Sequence, residues 1–115
     1  MAFSELEKKR CLRALSAFMQ KRRPPPRLRK ELDLGFRMEG QSVEIFEIRP
    51  FWREPEKTIE GAVAKATYVR TQGIWKVYWQ RADLKWHRYD PHPEASTIEE
   101  VLDIVDADEY CCFFG

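Results

Sequence analysis

Apolar residues near the start of the chain recur at three- and four-residue intervals. Leu12, Leu15 and Phe18/Met19, with Cys11 and Ala14 beside them, form a stripe, and Lys8, Lys9, Arg10 and Arg13 fill the rest of the surface. Ser4-Glu5-Leu6-Glu7 is a capping box, in which Ser4 and Glu7 satisfy each other's backbone N–H groups. The spacing predicts a helix over 4–20 whose stripe packs on a sheet. From residue 32 the period changes to two. Leu32, Leu34, Phe36 and Met38 alternate with Asp33, Gly35, Arg37 and Glu39, and Gly40-Gln41 turns the chain into a strand over 43–49. There Val43, Ile45 and Glu47 face one way and Glu44, Phe46 and Ile48 the other. Two prolines and several charges interrupt the pattern, and a loop is expected through about residue 60. Its Phe51 and Trp52 are expected to tuck onto an edge of the sheet. A strand over 62–70 follows, with Ala62, Ala64 and Ala66 sharing a face with Tyr68 and leaving room for aromatic neighbours.

The stretch 74–89 holds three of the four tryptophans and two of the four tyrosines. It reads as a hairpin. Strand 74–80 sets Trp75, Val77 and Trp79 against Ile74, Lys76 and Tyr78; strand 85–89 sets Trp86 and Arg88 against Lys85, His87 and Tyr89. After Asp90-Pro91-His92-Pro93, a second capping box, Ser96-Thr97-Ile98-Glu99, opens a helix over 96–107 with Ile98, Val101, Leu102 and Val105 on one face. The apolar end 110–115 must dock on the body or pair with a sheet edge to avoid aggregation. Short connections make the sheet antiparallel. The prediction is a single α+β domain over 1–115: an antiparallel sheet of about five strands at 32–89, with an N-terminal and a C-terminal helix packed on it.

Composition changes this picture in one respect. The formal net charge is +1, yet residues 1–30 balance to +8 and residues 91–115 to −7. The plain reading is that the ends attract each other, within one molecule or across a dimer. The sharper one is a basic arm for polyanions, since six of the ten residues from Lys21 to Lys30 are Lys or Arg around three prolines. The prolines predict an extended polyproline segment over 21–31. Three cysteines, Cys11, Cys111 and Cys112, form no disulfide framework or zinc motif. With no apolar signal core and no membrane-length apolar run, a cytoplasmic protein without membrane contact is expected.

No reaction is specified. His87 could serve as a general acid or base with Lys65, Arg49 or Tyr78, but a packing histidine beside Tyr78 or Lys76 is the plainer reading. His92 between two prolines reads as loop. Cys111-Cys112 lacks further ligands or a base and reads as buried structure. The acidic set from Glu99 to Glu109 lacks the alternation of a calcium loop. No catalytic residue, metal site or cofactor is therefore assigned.

Glu39-Gly40-Gln41-Ser42-Val43, Arg49-Pro50, Ala64-Lys65 with Tyr68, Trp75 with Tyr78-Trp79, Lys85-Trp86 with Tyr89, and Phe113-Phe114-Gly115 stand in an order that resembles a small bacterial family, domain of unknown function 3024. The resemblance covers about residues 28–115, and the leading helix and arm look individual to this chain. It implies a bacterial, cytoplasmic single-domain protein and brings no reaction.

The leading expectation is a binding module rather than an enzyme. Cations interleaved with aromatics suit RNA or single-stranded DNA, where bases stack and phosphates pair. The residues expected to do this are Arg22, Arg23, Arg27 and Arg29 of the arm and Lys65, Tyr68, Lys76, Tyr78 and Arg88 of the sheet. Aromatics lie on both faces of strand 74–80, and two helices cover little more than one, which leaves surface for a partner. A homodimer or another protein is the alternative partner, held by the spare face or the tail.

Overall fold

Ser4 caps the first helix as its sequence predicts: Glu7 N–H donates to Ser4 Oγ, and Ser4 N–H donates to the Glu7 carboxylate. The computed structural model describes residues 2–114; Gly115, the last residue of the predicted tail, lies outside them. Helix α1 spans Glu5–Arg22. Strands β1 (Asp33–Glu39), β2 (Ser42–Phe51), β3 (Glu54–Val69), β4 (Ile74–Gln80), β5 (Trp86–Arg88) and β6 (Glu94–Ala95) follow, and α2 (Ile98–Ala107) closes the order. The five longer strands form a meander in sequence order, and β6 adds to the β4 edge beyond β5. Every pairing is antiparallel. The fold is α+β, as predicted, with one short strand more than expected. That strand forms because the chain returns to β4 after Asp90-Pro91-His92: Val77 N–H donates to Pro93 O at 3.0 Å.

Both helices pack on one face of the sheet. Leu34, Val43, Ile45, Ala64, Ala66, Trp75 and Val77 are buried there against Cys11, Leu15 and Phe18 of α1 and Ile98, Val101, Leu102 and Val105 of α2. Leu12, expected in the α1 stripe, is 43% exposed. It stands about 100° round the helix from Cys11, past the edge of the apolar strip. The cap of α2 also shifts by one residue: Thr97 accepts from Glu100 N–H, and Ser96 N–H donates to Glu100.

A bulge in β3 corrects the predicted alanine face. Ile45 pairs with Ala64 but Phe46 pairs with Ala62, so Val63 is an extra residue. Val63 and Ala64 are consecutive and both buried. Ala62 is thereby turned to the opposite face, across from Phe46. Ala64 and Ala66 make room for α2 rather than for aromatics; they share a small gap with Ile98, Val101, Leu102 and Val105.

The predicted loop over 49–60 is instead a two-stranded ribbon, with Arg49 paired to Ile59, Pro50 to Thr58 and Phe51 to Glu54. The last β1 pair is Asp33 with Ile48, so Pro50 lies where β2 has a free edge and needs no N–H. Trp52 does not tuck onto the sheet; it is 75% exposed at the ribbon tip.

The ends of opposite charge meet within one molecule. Arg10 pairs with Glu99 at 3.2 Å, and Lys21 and Arg22 both pair with Asp106, Arg22 at 2.7 Å. The basic arm is not extended throughout. After Pro25 it closes into a 3-10 turn over Pro26–Leu28, and Arg23 reaches Asp33 with two hydrogen bonds of 2.8 and 2.9 Å. The tail docks as expected. Asp108, with φ +41°, ends α2, and its carboxylate accepts the N–H groups of Phe113 and Phe114. Phe113 is buried against Tyr89, ring centroids 4.7 Å apart, but Cys111 beside it is exposed.

Two predictions follow from this geometry. Leu84 turns β4 into β5 with φ +63° and is 76% exposed, so its side chain strains the backbone and gains little from burial. Leu84→Gly should raise unfolding free energy by about 1 kcal/mol in urea titrations; a loss would contradict the strain. The Arg23 guanidinium, then the Leu34 N–H, hold the Asp33 carboxyl down at about 2, below its ordinary 3.8. Its contribution is full above pH 4 and is lost as pH falls through 2. Asp33→Asn should cost about 1 kcal/mol at neutral pH and flatten the fall in stability between pH 4 and 2. Equal slopes for variant and parent would reject the pair as its source.

Candidate functional site

The face away from the helices is uncovered, and the strand register sets its side chains in rows. One row crosses all five strands of the meander: Arg37 faces Glu44, Glu44 faces Lys65, Lys65 faces Tyr78, and Tyr78 faces Arg88. The row beside it holds Thr67, Lys76 and Glu94. On the other side Gly35 faces Phe46, Phe46 faces Ala62, and Gln80 faces Trp86.

Four of the sheet residues expected to bind nucleic acid thus converge: Lys65, Lys76, Tyr78 and Arg88. Tyr78 is the centre of the group, flanked on its own row by two cations. Lys65 also stands over the Trp86 ring, 5.9 Å from its centroid. A hollow of about 330 Å³ opens between Lys76, Tyr78, Arg88, Pro93 and Glu94. Among the described residues Lys65 and Lys76 make no ion pair, and Arg88 pairs only with exposed Asp90, at 2.7 Å. Such an exposed pair contributes little and exchanges readily for another anion.

The remaining expected residues do not join this group. Tyr68 lies on the helix-covered face, because it pairs with Trp75; their ring centroids are 5.3 Å apart. Arg22 is held by Asp106 and stacks 4.1 Å over Phe114, Arg23 is held by Asp33, and Arg29 donates to Pro24 O at 2.9 Å. Arg27 alone of the four is exposed and makes no ion pair among the described residues. Half of the arm's cations, Lys21, Arg22 and Arg23, are paired with carboxylates of the fold.

The expected neighbours of His87 are also wrong. Arg88, not His87, faces Tyr78; His87 faces Trp79 and bonds Asp83 at 2.8 Å within its own hairpin. The Lys85 N–H and His87 both draw the Asp83 carboxyl below its usual range. The sheet itself separates His87 from Lys65 and Tyr78. Burial pushes the Cys11 thiol up to about 11, helped by Glu7 and Glu99, so it stays protonated and is a poor nucleophile. Among the described residues no cluster of three or more His, Cys, Asp or Glu could hold a metal ion. No described helix is long and apolar enough to cross a membrane.

Trp86, one of the hairpin aromatics that the sequence offers for stacking, belongs to this face, as do Phe46 and Arg37, which were not expected as site residues. The Arg37 guanidinium stacks 4.4 Å over the Phe46 ring, which itself covers Gly35. Alternation along each strand hints at them, but their grouping follows from register between strands, which alternation leaves open.

A small α+β protein is defined by these features: an antiparallel meander with helices on one face and a mixed aromatic and charged surface on the other. The chain belongs to the family described as Domain of unknown function (DUF3024), whose profile matches residues 3–115. The match takes in α1 and the arm, which the sequence had suggested were individual. Neither the curated proteins nor the solved structures yield a match.

A Cβ on Gly35 would lie 2.9 Å from the Phe46 ring. Gly35→Ala should therefore displace Phe46 and cost about 1–3 kcal/mol in thermal or urea unfolding. Phe46→Leu in the same background should recover part of the loss; no recovery would place the strain elsewhere.

Proposed function

We propose that the protein is a non-catalytic module of the bacterial cytoplasm that binds single-stranded nucleic acid on its open sheet face. The observation that carries this reading is the row Lys65–Tyr78–Arg88, with Lys76 and Trp86 on either side. Tyr78 and Trp86 offer π-faces for bases; Lys65 and Arg88 stand one strand to either side of Tyr78, about 10 Å apart, and Lys76 lies on the strand between them, so the cations flank a strand laid across Tyr78. Stacking on a half-exposed aromatic accepts any base, so little sequence preference is expected. A duplex hides its base faces and should bind less well. Three free thiols, Cys11, Cys111 and Cys112, suit a reducing compartment.

The arm has no part in this reading, since three of its four arginines already have partners in the fold. The test is anisotropy of short labelled RNA and single-stranded DNA at several salt concentrations. Binding should weaken steeply with salt, and Lys65→Ala, Lys76→Ala and Arg88→Ala should each lower the slope of log affinity against log salt by roughly 0.7. Tyr78→Ala should lose affinity with the slope unchanged. Arg27→Ala should bind as the parent does. Absent binding, or binding indifferent to all three sheet cations, would overturn the proposal.

A further inference from the structure

The ribbon formed by the outer halves of β2 and β3 has no role in the core. Pairing to β1 ends at Ile48 and pairing to β4 begins at Lys65, so residues 49–60 stand clear of the sheet. All of Glu54–Gly61 is exposed, and Ile59 is 48% and Trp52 75% exposed. At the tip the Arg53 guanidinium stacks 4.7 Å from the Trp52 ring centroid, and Phe51 lies 6.2 Å from the same ring. A projecting two-stranded ribbon is only marginally stable by itself. Tryptophan and arginine are the side chains that most often dominate a protein interface.

The same ribbon ends, at its root, in a hollow on the open face. It holds about 190 Å³ and is lined by Phe46, Ala62 and Trp86 together with Glu44, Glu60 and Arg37, whose guanidinium lies over the Phe46 ring. Glu60 is engaged by Arg37. Glu44 makes no ion pair among the described residues, and at the ribbon tip neither does Arg53. An exposed aromatic with an unpaired cation thus lies on the same ribbon as an aromatic hollow with an unpaired carboxylate.

We propose that two copies of the chain associate about a two-fold axis, with the Trp52 tip of each ribbon seated in the Phe46–Ala62–Trp86 hollow of the other and Arg53 of each facing Glu44 of the other. The occupant is a second copy because knob and hollow are complementary in charge and chemistry and lie on one element. Their separation along β2 is six residues, about 20 Å. A two-fold axis midway between them, near Arg49 and Ile59, seats both knobs at once and closes the assembly at two chains. Between the ends, Phe46, Ile48 and Pro50 alternate onto one side of β2, so the two ribbons also meet along a half-buried apolar stripe. Lys65, Tyr78 and Arg88 do not line this hollow, but its Trp86 wall also belongs to the face proposed for nucleic acid; the test below contains no nucleic acid and reads self-association alone.

Sedimentation velocity on the full chain over a concentration series tests it, with circular dichroism of each variant as the check on folding. The parent should dimerise at micromolar concentration. Trp52→Ala, which removes an exposed side chain, should fold normally and weaken the dimer roughly thirtyfold or more. Arg53→Glu and Glu44→Arg should each be monomeric, because each opposes like charges at both contacts. Their mixture should dimerise, since both contacts then join Glu to Arg. Lys76→Ala should dimerise like the parent. A parent that remains monomeric at several hundred micromolar would overturn the proposal. So would a Trp52→Ala dimer as tight as the parent's, or a mixture of the charge variants that fails to associate.

Discussion

The seat of α2 on Ala64 and Ala66 is the contact on which the rest of the molecule depends. Two methyl side chains at the centre of the sheet set the approach of a helix whose Ile98, Val101, Leu102 and Val105 face them across a small gap. That approach is stabilised by apolar area removed from water, about 25 cal/mol per Å². It also decides which face of the sheet is covered. Once α2 is down, the acidic end of the chain lies beside α1, and Glu99 and Asp106 meet Arg10, Lys21 and Arg22. The bulge at Val63 serves the same seat, since without the extra residue Ala64 and Ala62 would share a face.

The charge segregation of the sequence is therefore first a folding device. The arm Lys21–Lys30 reads as the most polyanion-like stretch of the chain, yet Arg22, Arg23 and Arg29 are each held by a partner in the fold. Each of these pairs is modest, worth about 1 kcal/mol or less where solvent reaches it. Together they fix the path from α1 to β1 and leave Arg27 without an internal role. A run of cations shows how much charge is present locally; whether it is free depends on what the distant carboxylates do. Here Asp33 is ten residues away and Asp106 more than eighty.

Much of the architecture was legible because it rests on local patterns. The Ser4 capping box, the alternation of β1, β2 and β4, the turn at Gly40 and the apolar face of α2 each involve residues within one turn or one strand. What was not legible depends on pairing between strands. The ribbon at 49–60 carries two prolines and six charges, which read as a loop; it is a strand pair only because each strand templates the other. Ala62 looked equivalent to Ala64 until the bulge separated them. For the candidate site, the residue types were visible but the grouping was not. Lys65, Lys76, Tyr78 and Arg88 come together through register, while Tyr68 is drawn to the covered face by Trp75. His87 missed its expected neighbours by a single residue of register, which in a sheet is the whole distance between two faces.

Register also divides the open face. Its β1–β2 side carries Glu39, Glu44 and Arg37, the last engaged by Glu60, and its β4–β5 side carries Lys76 and Arg88, with Glu94 beside Lys76 and Lys65 between the two sides. A surface polarised in this way suits two different contacts better than one extended one, because a polyanion laid across the whole face would meet carboxylates at its far end. Trp86 stands at the boundary, beneath Lys65 on one side and in the wall of the Phe46 hollow on the other. Any partner that fixes the Trp86 ring from one side changes what the other side presents. The nucleic-acid contact and the self-association proposed above would share this wall, and any coupling between them would be reciprocal, with one factor acting in both directions.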